Sequence, residues 1–213
     1  MDKNKISGYR WTTSTPESSH EYLLPTVLSE IKRFFSLQST DRKQKIFDLG
    51  CGNGSVANAL ASNGWDVTGV DPSKEGIVQA NAQYSNIKLY EGSAYDDLAQ
   101  KYGQFPVVIS LEVVEHVYYP RPYAATLYSL LQPGGIAIIS TPYHGYFKNL
   151  VLSLTGKMDS HFTALWDYGH IKFWSMKTLS CLLTEAGFVD IRFERVGRIP
   201  VLAKSMIAIA RKN

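Results

Sequence analysis

The sequence predicts an α/β fold built on a seven-stranded, mostly parallel sheet with helices on both faces. Three observations predict it. Short apolar runs alternate with stretches of helical spacing along the chain, the pattern of a sheet wrapped by crossover helices. A glycine-rich turn, Gly50-Cys51-Gly52-Asn53-Gly54, follows the first run, and an acid, Asp71, closes the second.

The strands are expected at 45–49, 66–70, 87–91, 107–111, 136–140, 189–196 and 206–212. The last two form a hairpin, so the final strand runs antiparallel in a Rossmann-like sheet. Before the first strand, Val27, Leu28, Ile31, Phe34 and Phe35 follow helical spacing, with Pro25 placed in the first turn. Ser55 is expected to cap a helix running to Gly64. Ser175 caps another, whose apolar face is Leu179, Leu182, Leu183 and Ala186, and Gly187 ends it with Phe188 packing back. The whole of 1–213 reads as one domain. Within it, 1–36 form an N-terminal helix and a lid containing Tyr9-Arg10-Trp11 and His20-Glu21-Tyr22, and 141–174 form an aromatic insertion after the fifth strand, covering a substrate.

At 213 residues the chain can bury a substantial core. A net charge of +3, with Lys and Arg scattered, argues against a nucleic-acid partner, which calls for a basic stripe. Two cysteines, 51 and 181, give neither a disulfide framework nor a metal knuckle, so the reducing cytoplasm is the expected location. No run approaches the roughly 20 apolar residues of a membrane span.

The glycine turn carries the functional signal. Gly50, Gly52 and Gly54 let the backbone turn sharply beside a ligand, and Asp71 stands where a carboxylate takes ribose hydroxyls. A dinucleotide fingerprint would place its third glycine at 55, which is a serine here. Asp48, beside the turn, would repel a phosphate and suit an ammonium or a sulfonium. The ligand so implied is an adenosine compound with a cationic far end.

These residues, with Leu131-Gln132-Pro133-Gly134-Gly135 and Glu185-Ala186-Gly187-Phe188, resemble the class I S-adenosylmethionine-dependent methyltransferases over 45–212. The resemblance implies that S-adenosylmethionine binds and leaves as S-adenosylhomocysteine. It assigns Asp48 to the methionine ammonium, Gly50, Cys51, Gly52 and Asn53 to the turn beneath it, and Asp71 with Pro72 to the ribose. Ser93 and Ala94 fall to the adenine, and Leu111 and Glu112 border the methionine. Ser93 replaces the family's usual acid, for which Asp96 or Asp97 is a substitute.

Glu112-Val113-Val114-Glu115-His116, at the end of the fourth strand where a helix is expected to begin, and Gly169-His170-Ile171 resemble the ubiquinone-biosynthesis O-methyltransferases. They also resemble RNA 2′-O-methyltransferases, whose two Glu and two His hold a divalent metal. The catalytic candidates are therefore Glu115, His116 and His170. Either His116 or His170 serves as general base with Glu115 orienting it, or a metal on Glu112, Glu115, His116 and His170 acidifies the hydroxyl; the base is favoured. The acceptor implied is a small-molecule or lipid-linked hydroxyl. Leu150, Val151, Leu152 and Leu154 offer peripheral contact with the inner membrane. RNA ribose methylation and noncatalytic donor binding are the alternatives.

Overall fold

A computed structural model describes residues 18–38, 44–166 and 169–213. In chain order the elements are α1 (Ser18–Ser36), β1 (Lys45–Leu49), α2 (Ser55–Ser62), β2 (Asp66–Asp71), α3 (Lys74–Gln83), β3 (Lys88–Glu91), α4 (Leu98–Tyr102) and β4 (Phe105–Leu111). Then come α5 (Pro120–Leu130), β5 (Leu131–Pro142), α6 (Tyr146–Leu154), α7 (Met158–Phe162), α8 (Met176–Glu185), β6 (Val189–Val196) and β7 (Ser205–Arg211). All seven expected strands are present. The sheet order is β3-β2-β1-β4-β5-β7-β6, with β7 antiparallel to both neighbours and the remaining pairs parallel.

Successive strand residues feed opposite faces, as the period of two requires. Ile46, Val67, Val107, Ile109, Ile138 and Ile207 pack under α1, α2 and α3, through Val27, Ile31, Leu60 and Ile77. Phe47, Val108, Ala137, Ile139 and Ala208 pack under α4, α5 and α8, through Leu98, Tyr123, Leu127, Leu179 and Leu183. Burial on both faces explains why the strands read as continuous apolar runs.

Three local expectations are corrected. Pro25 lies inside α1, which begins at Ser18, so the helix takes in His20, Glu21 and Tyr22; the missing N–H forfeits one intrahelical bond. Gly54, in the left-handed region at φ 76°, is the N-cap of α2, with no side-chain cap bond; Ser55 is the first helical residue, its N–H accepted by Asn53 Oδ1 at 3.2 Å. The segment after β4 does not enter a helix; it makes turns until α5 starts at Pro120. At α8 the reading holds: Ser175 and Thr178 form a reciprocal cap, and Gly187 at φ 98° ends the helix. Tyr9, Arg10 and Trp11 lie outside the described residues.

Candidate active site

The carboxyl ends of β1, β2 and β4 open onto a cavity of about 340 Å³. That is where ligands collect in open α/β sheets. Its walls include Asp48, the turn 50–53, Asp71, Pro72, Ser93, Ala94, Leu111, Glu112, His116 and His170. Every residue assigned to the donor lines this one space, as do both histidines of the catalytic set. Glu115 lies behind the wall, 1% exposed.

The turn is shaped by β2. The N–H groups of Gly50 and Cys51 donate to the Val70 carbonyl at 2.8 and 3.0 Å, and the Gly52 N–H donates to Asp71 Oδ2 at 2.9 Å. Gly50 has φ 88°, and a Cβ there would lie 2.4 Å from Val113 Cγ2. Only glycine allows β1 to pass that close beneath the segment after β4.

Asp48 and Asp71 make the cavity acidic. Burial, and then Asp71, push the Asp48 carboxyl up to about 8, and its Oδ2 meets no hydrogen-bond partner. Asp71 is raised to about 6 by burial, offset by the Ser73 and Gly52 N–H groups that its two oxygens accept. Two buried carboxyls whose ionised forms are disfavoured by burial make this a pocket in which a cation would be stabilised.

Around the expected adenine, the Asp96 carboxylate accepts the Ser93 N–H at 2.8 Å and Ser93 Oγ accepts the Tyr95 N–H at 3.2 Å. Asp97 caps α4 by accepting the Gln100 N–H. The two acids named as substitutes thus hold backbone, and neither lines the cavity.

At the end of β4, Glu112 adopts φ 55°, a left-handed conformation costly for a non-glycine residue. Ser140 compensates: its Oγ donates to Glu112 Oε1 at 2.7 Å, and the Glu112 N–H donates to Ser140 at 3.0 Å. Ser205 Oγ reaches Glu112 Oε2 at 3.4 Å and Tyr22 Oη at 3.3 Å. This support was missed by sequence reasoning, and no local signal marks it, because Ser205 is 93 residues away.

The histidines meet because the segment after β4 is sewn to the end of the insertion. The Ile171 and Lys172 N–H groups both donate to the Glu115 carbonyl, and Trp174 Nε1 donates to the Val114 carbonyl at 3.1 Å. His116 Nδ1 lies 3.1 Å from the Gly169 carbonyl. A carbonyl only accepts, so Nδ1 carries a proton, and in the neutral ring the lone pair is on Nε2. The His116 and His170 ring centroids are 4.9 Å apart. Burial, then His116, push His170 down to about 4, which keeps it neutral. Glu115 is held well above the usual carboxylate range by burial and Glu112; it lies near the Thr141 hydroxyl, yet neither carboxylate oxygen finds a hydrogen-bond partner. The Gly169 carbonyl thus holds His116 through Nδ1, while Glu115 stays close to both imidazoles. Ligand atoms of Glu115, His116 and His170 all lie within 4.8 Å of one another.

The insertion differs from a simple cover. Trp166 and His170 line the cavity, and Tyr143 and Trp174 join the core. By contrast, α6 buries none of its residues and leaves Tyr146, Phe147, Leu150, Val151 and Leu154 exposed. At the opposite rim, Ser19 and His20 of α1 reach the cavity, with His20 Nδ1 3.3 Å from Ser55 Oγ. Among the described residues no helix is long and apolar enough to cross a membrane.

Residues 20–192 match the model of a family described as a methyltransferase domain. The chain is 32% identical over 124 residues to a ubiquinone biosynthesis O-methyltransferase of Cereibacter sphaeroides, covering 57% of this chain and 50% of that protein. It is 30% identical over 155 residues to one of Psychrobacter cryohalolentis, covering 65% and 60%. It thus spans about half to three-fifths of the length of these curated relatives. Among solved structures it superposes on an S-adenosylmethionine-dependent methyltransferase of Mesorhizobium loti with a TM-score of 0.62 at 17% identity, covering 85% and 96% of the two chains. A phosphoethanolamine N-methyltransferase of Haemonchus contortus, solved with S-adenosyl-L-methionine, gives 0.60 at 17% identity, covering 88% and 52%. With that match across most of its length and this fold, the chain belongs to the class I S-adenosylmethionine-dependent methyltransferases.

Proposed function

We propose that the chain transfers a methyl group from S-adenosylmethionine to a hydroxyl of a small-molecule or lipid-linked acceptor. The observation that carries this reading is the make-up of one cavity, in which the unpartnered Oδ2 of Asp48 and the His116–His170 pair share the same walls. The curated relatives named as ubiquinone biosynthesis O-methyltransferases support the choice of oxygen.

In this reading Asp48 faces the methionine ammonium and the sulfonium's field. The 50–53 turn lies under the methionine and ribose, Asp71 and Pro72 take the ribose, Ser93 and Ala94 flank the adenine, and Leu111 and Glu112 border the methionine. Each Asp71 oxygen keeps a second lone pair for a ribose hydroxyl. The acceptor oxygen attacks the methyl in line, the carbon–sulfur bond breaks onto sulfur to leave the neutral thioether, and the hydroxyl proton passes to His116 Nε2. Alignment is worth about 7–11 kcal/mol and the base about 10²–10⁴-fold.

Transfer of a labelled methyl group to a panel of catechols and phenols tests the proposal. A chain that binds S-adenosylhomocysteine tightly yet methylates no hydroxyl overturns it in favour of a binding module.

A second reading is favoured by the packing of Glu115, His116 and His170. These three would hold a divalent cation, with Glu112 kept apart by its bonds to Ser140 and Ser205. Such an ion would lower the pKa of an acceptor hydroxyl. Turnover that survives chelation supports the base; complete loss restored by metal supports the ion.

The location proposed is the cytoplasmic face of the inner membrane. The exposed apolar residues of α6 would lie in the headgroup region and leave the cavity beside the lipid phase.

A further inference from the structure

We propose that Ser55, the first residue of α2, donates its hydroxyl proton to the methionine carboxylate of the methyl donor, and that His20 of α1 positions that hydroxyl. The inference rests on reading the 50–53 turn as the floor under the methionine, and it deepens that reading by assigning a partner to the donor's one negative charge.

The methyl donor ends in an amino acid, whose ammonium and carboxylate sit on one carbon. In the reading above Asp48 faces the ammonium, and its Oδ2 is buried on the cavity wall without a hydrogen-bond partner. The carboxylate then needs hydrogen-bond donors within reach of the same carbon, because taking it out of water without them is costly. Among the described residues that line the cavity, none is Lys or Arg. Neutral donors must therefore supply what a fixed cation does not.

The order of the strands, β3-β2-β1-β4, narrows the choice. Asp71 closes β2 and Ser93 follows β3, on the nucleoside side of β1, where Ser93 Oγ accepts the Tyr95 N–H. His116 and His170 lie beyond β4 on the other side, with ring centroids 4.9 Å apart. Glu112, being an acid, would repel a carboxylate. The amino-acid end of the donor rests over the turn, which Asp48 precedes and Ser55 follows. Ser55 is 5% exposed and lines the cavity.

The surroundings of Ser55 point to the same use. Its backbone N–H is taken by Asn53 Oδ1 at 3.2 Å, and its hydroxyl does not cap the helix, since the N-cap is Gly54 and no side-chain cap bond is made. Instead Ser55 Oγ lies 3.3 Å from His20 Nδ1, across 35 residues of sequence. Ser19 and His20 line the same cavity, so the contact brings the first turn of α1 over the start of α2 at the ligand's edge. With the ring proton on Nδ1, His20 donates to Ser55 Oγ, and the hydroxyl gives its own proton to a carboxylate oxygen. This works whether the ring is neutral or charged, and a hydroxyl that accepts one hydrogen bond is a stronger donor in the next. The other neutral tautomer turns the hydroxyl back toward Nδ1, so a bound carboxylate selects the first.

The test is calorimetry on the full chain with S-adenosylmethionine and its decarboxylated analogue, which keeps the sulfonium, the ammonium and the nucleoside. The parent should bind the complete donor about tenfold or more tightly. Ser55→Ala should reduce that preference to about threefold or less, with the decarboxylated analogue bound within about twofold of its affinity for the parent. His20→Ala should do the same. His20→Asn, whose side-chain N–H stands close to the place of Nδ1–H, should keep a preference of about fivefold or more. A merely structural role for His20 would weaken both ligands alike and would not separate Asn from Ala. A melting curve confirms that each variant is folded. Equal binding of the two ligands by the parent, or a preference that survives Ser55→Ala, overturns the proposal; a preference lost in Ser55→Ala yet intact in His20→Ala overturns the role of His20. The two readings fail separately. A carboxylate preference without methyl transfer to any hydroxyl defeats the proposed reaction alone, whereas efficient transfer with no carboxylate preference defeats this assignment alone.

Discussion

In the proposed site, Asp48 is the residue on which the donor's charge would be read. A carboxyl whose folded pKa lies above its unfolded value stabilises the fold fully below the unfolded value, and that contribution is lost as pH rises through the folded one. With Asp48 at about 8 against an ordinary 3.8, the ligand-free chain should lose stability between about pH 4 and pH 8. A bound cation favours the ionised form, so binding releases a proton, and affinity for S-adenosylmethionine should tighten as pH rises from 6.5 to 8. Asp48→Asn should abolish that slope, leaving only the dependence of Asp71 near its value of about 6. The same change should raise the melting temperature of the ligand-free chain at pH 8 while weakening the donor. A variant that binds the donor as tightly as the parent at pH 8 sinks this account.

His116 gives a second prediction at this scale. His116→Gln should leave S-adenosylhomocysteine binding within about twofold and lower turnover by about 10²–10⁴. That these residues gather around one cavity was legible in the sequence because a glycine turn and a strand-end acid have few other uses. The strained φ of Glu112 was not legible, since its supports come from β5 and β7, distant in sequence.

Among the elements, the β1–α2 connection depends on close approach. A Cβ at Gly54 would lie 2.7 Å from Leu89 Cδ1 and 2.9 Å from Ala80 Cβ, on a backbone at φ 76°. Gly64 has a similar φ of 93° but nothing within 4 Å. Gly64→Ala should therefore cost only the conformational term, about 1–2 kcal/mol, and Gly54→Ala measurably more, with loss of donor binding. Chemical denaturation of the two variants isolates the packing contribution. Trp174→Phe should leave the Val114 carbonyl unpaired at a cost of about 1–3 kcal/mol. Because that bond fixes the segment bearing His116, turnover should fall more than donor affinity.

Strands were easy to read because burial on both faces makes each a run of apolar residues, and α8 was easy because its cap is local. The start of α1 was not: a proline usually opens a helix, yet here Leu23, Val27 and Ile31 bury fully against the sheet, and that packing outweighs one lost hydrogen bond. The exposure of α6 was half legible: the sequence offered Leu150, Val151, Leu152 and Leu154 to a bilayer and three of them are exposed, but an apolar face reads the same whether it meets protein or another phase.

For the whole molecule, that face is the feature that most invites a partner phase. Tyr146, Phe147 and Leu154 are each more than 60% exposed, and the apolar residues Ile199 and Val201 are also exposed in the Pro200 turn that α6 contacts. The proposed peripheral anchoring predicts that the chain floats with liposomes of anionic lipid and that Leu150→Gln combined with Leu154→Gln abolishes flotation without changing the melting temperature by more than a degree or two. A parent chain that stays at the bottom of the gradient removes the anchoring.

The other global feature is the bidentate ion pair of Glu30 on α1 with Arg192 on β6, beside the packing of α1 on β5 and β6. Among the described residues, α1 thus settles fully only against β6, and with it Ser19 and His20 at the cavity rim. A nascent or truncated version lacking the closing hairpin would leave Leu23, Val27 and Ile31 without their full cover. The α1 side of the cavity rim is consequently set only once that hairpin has formed.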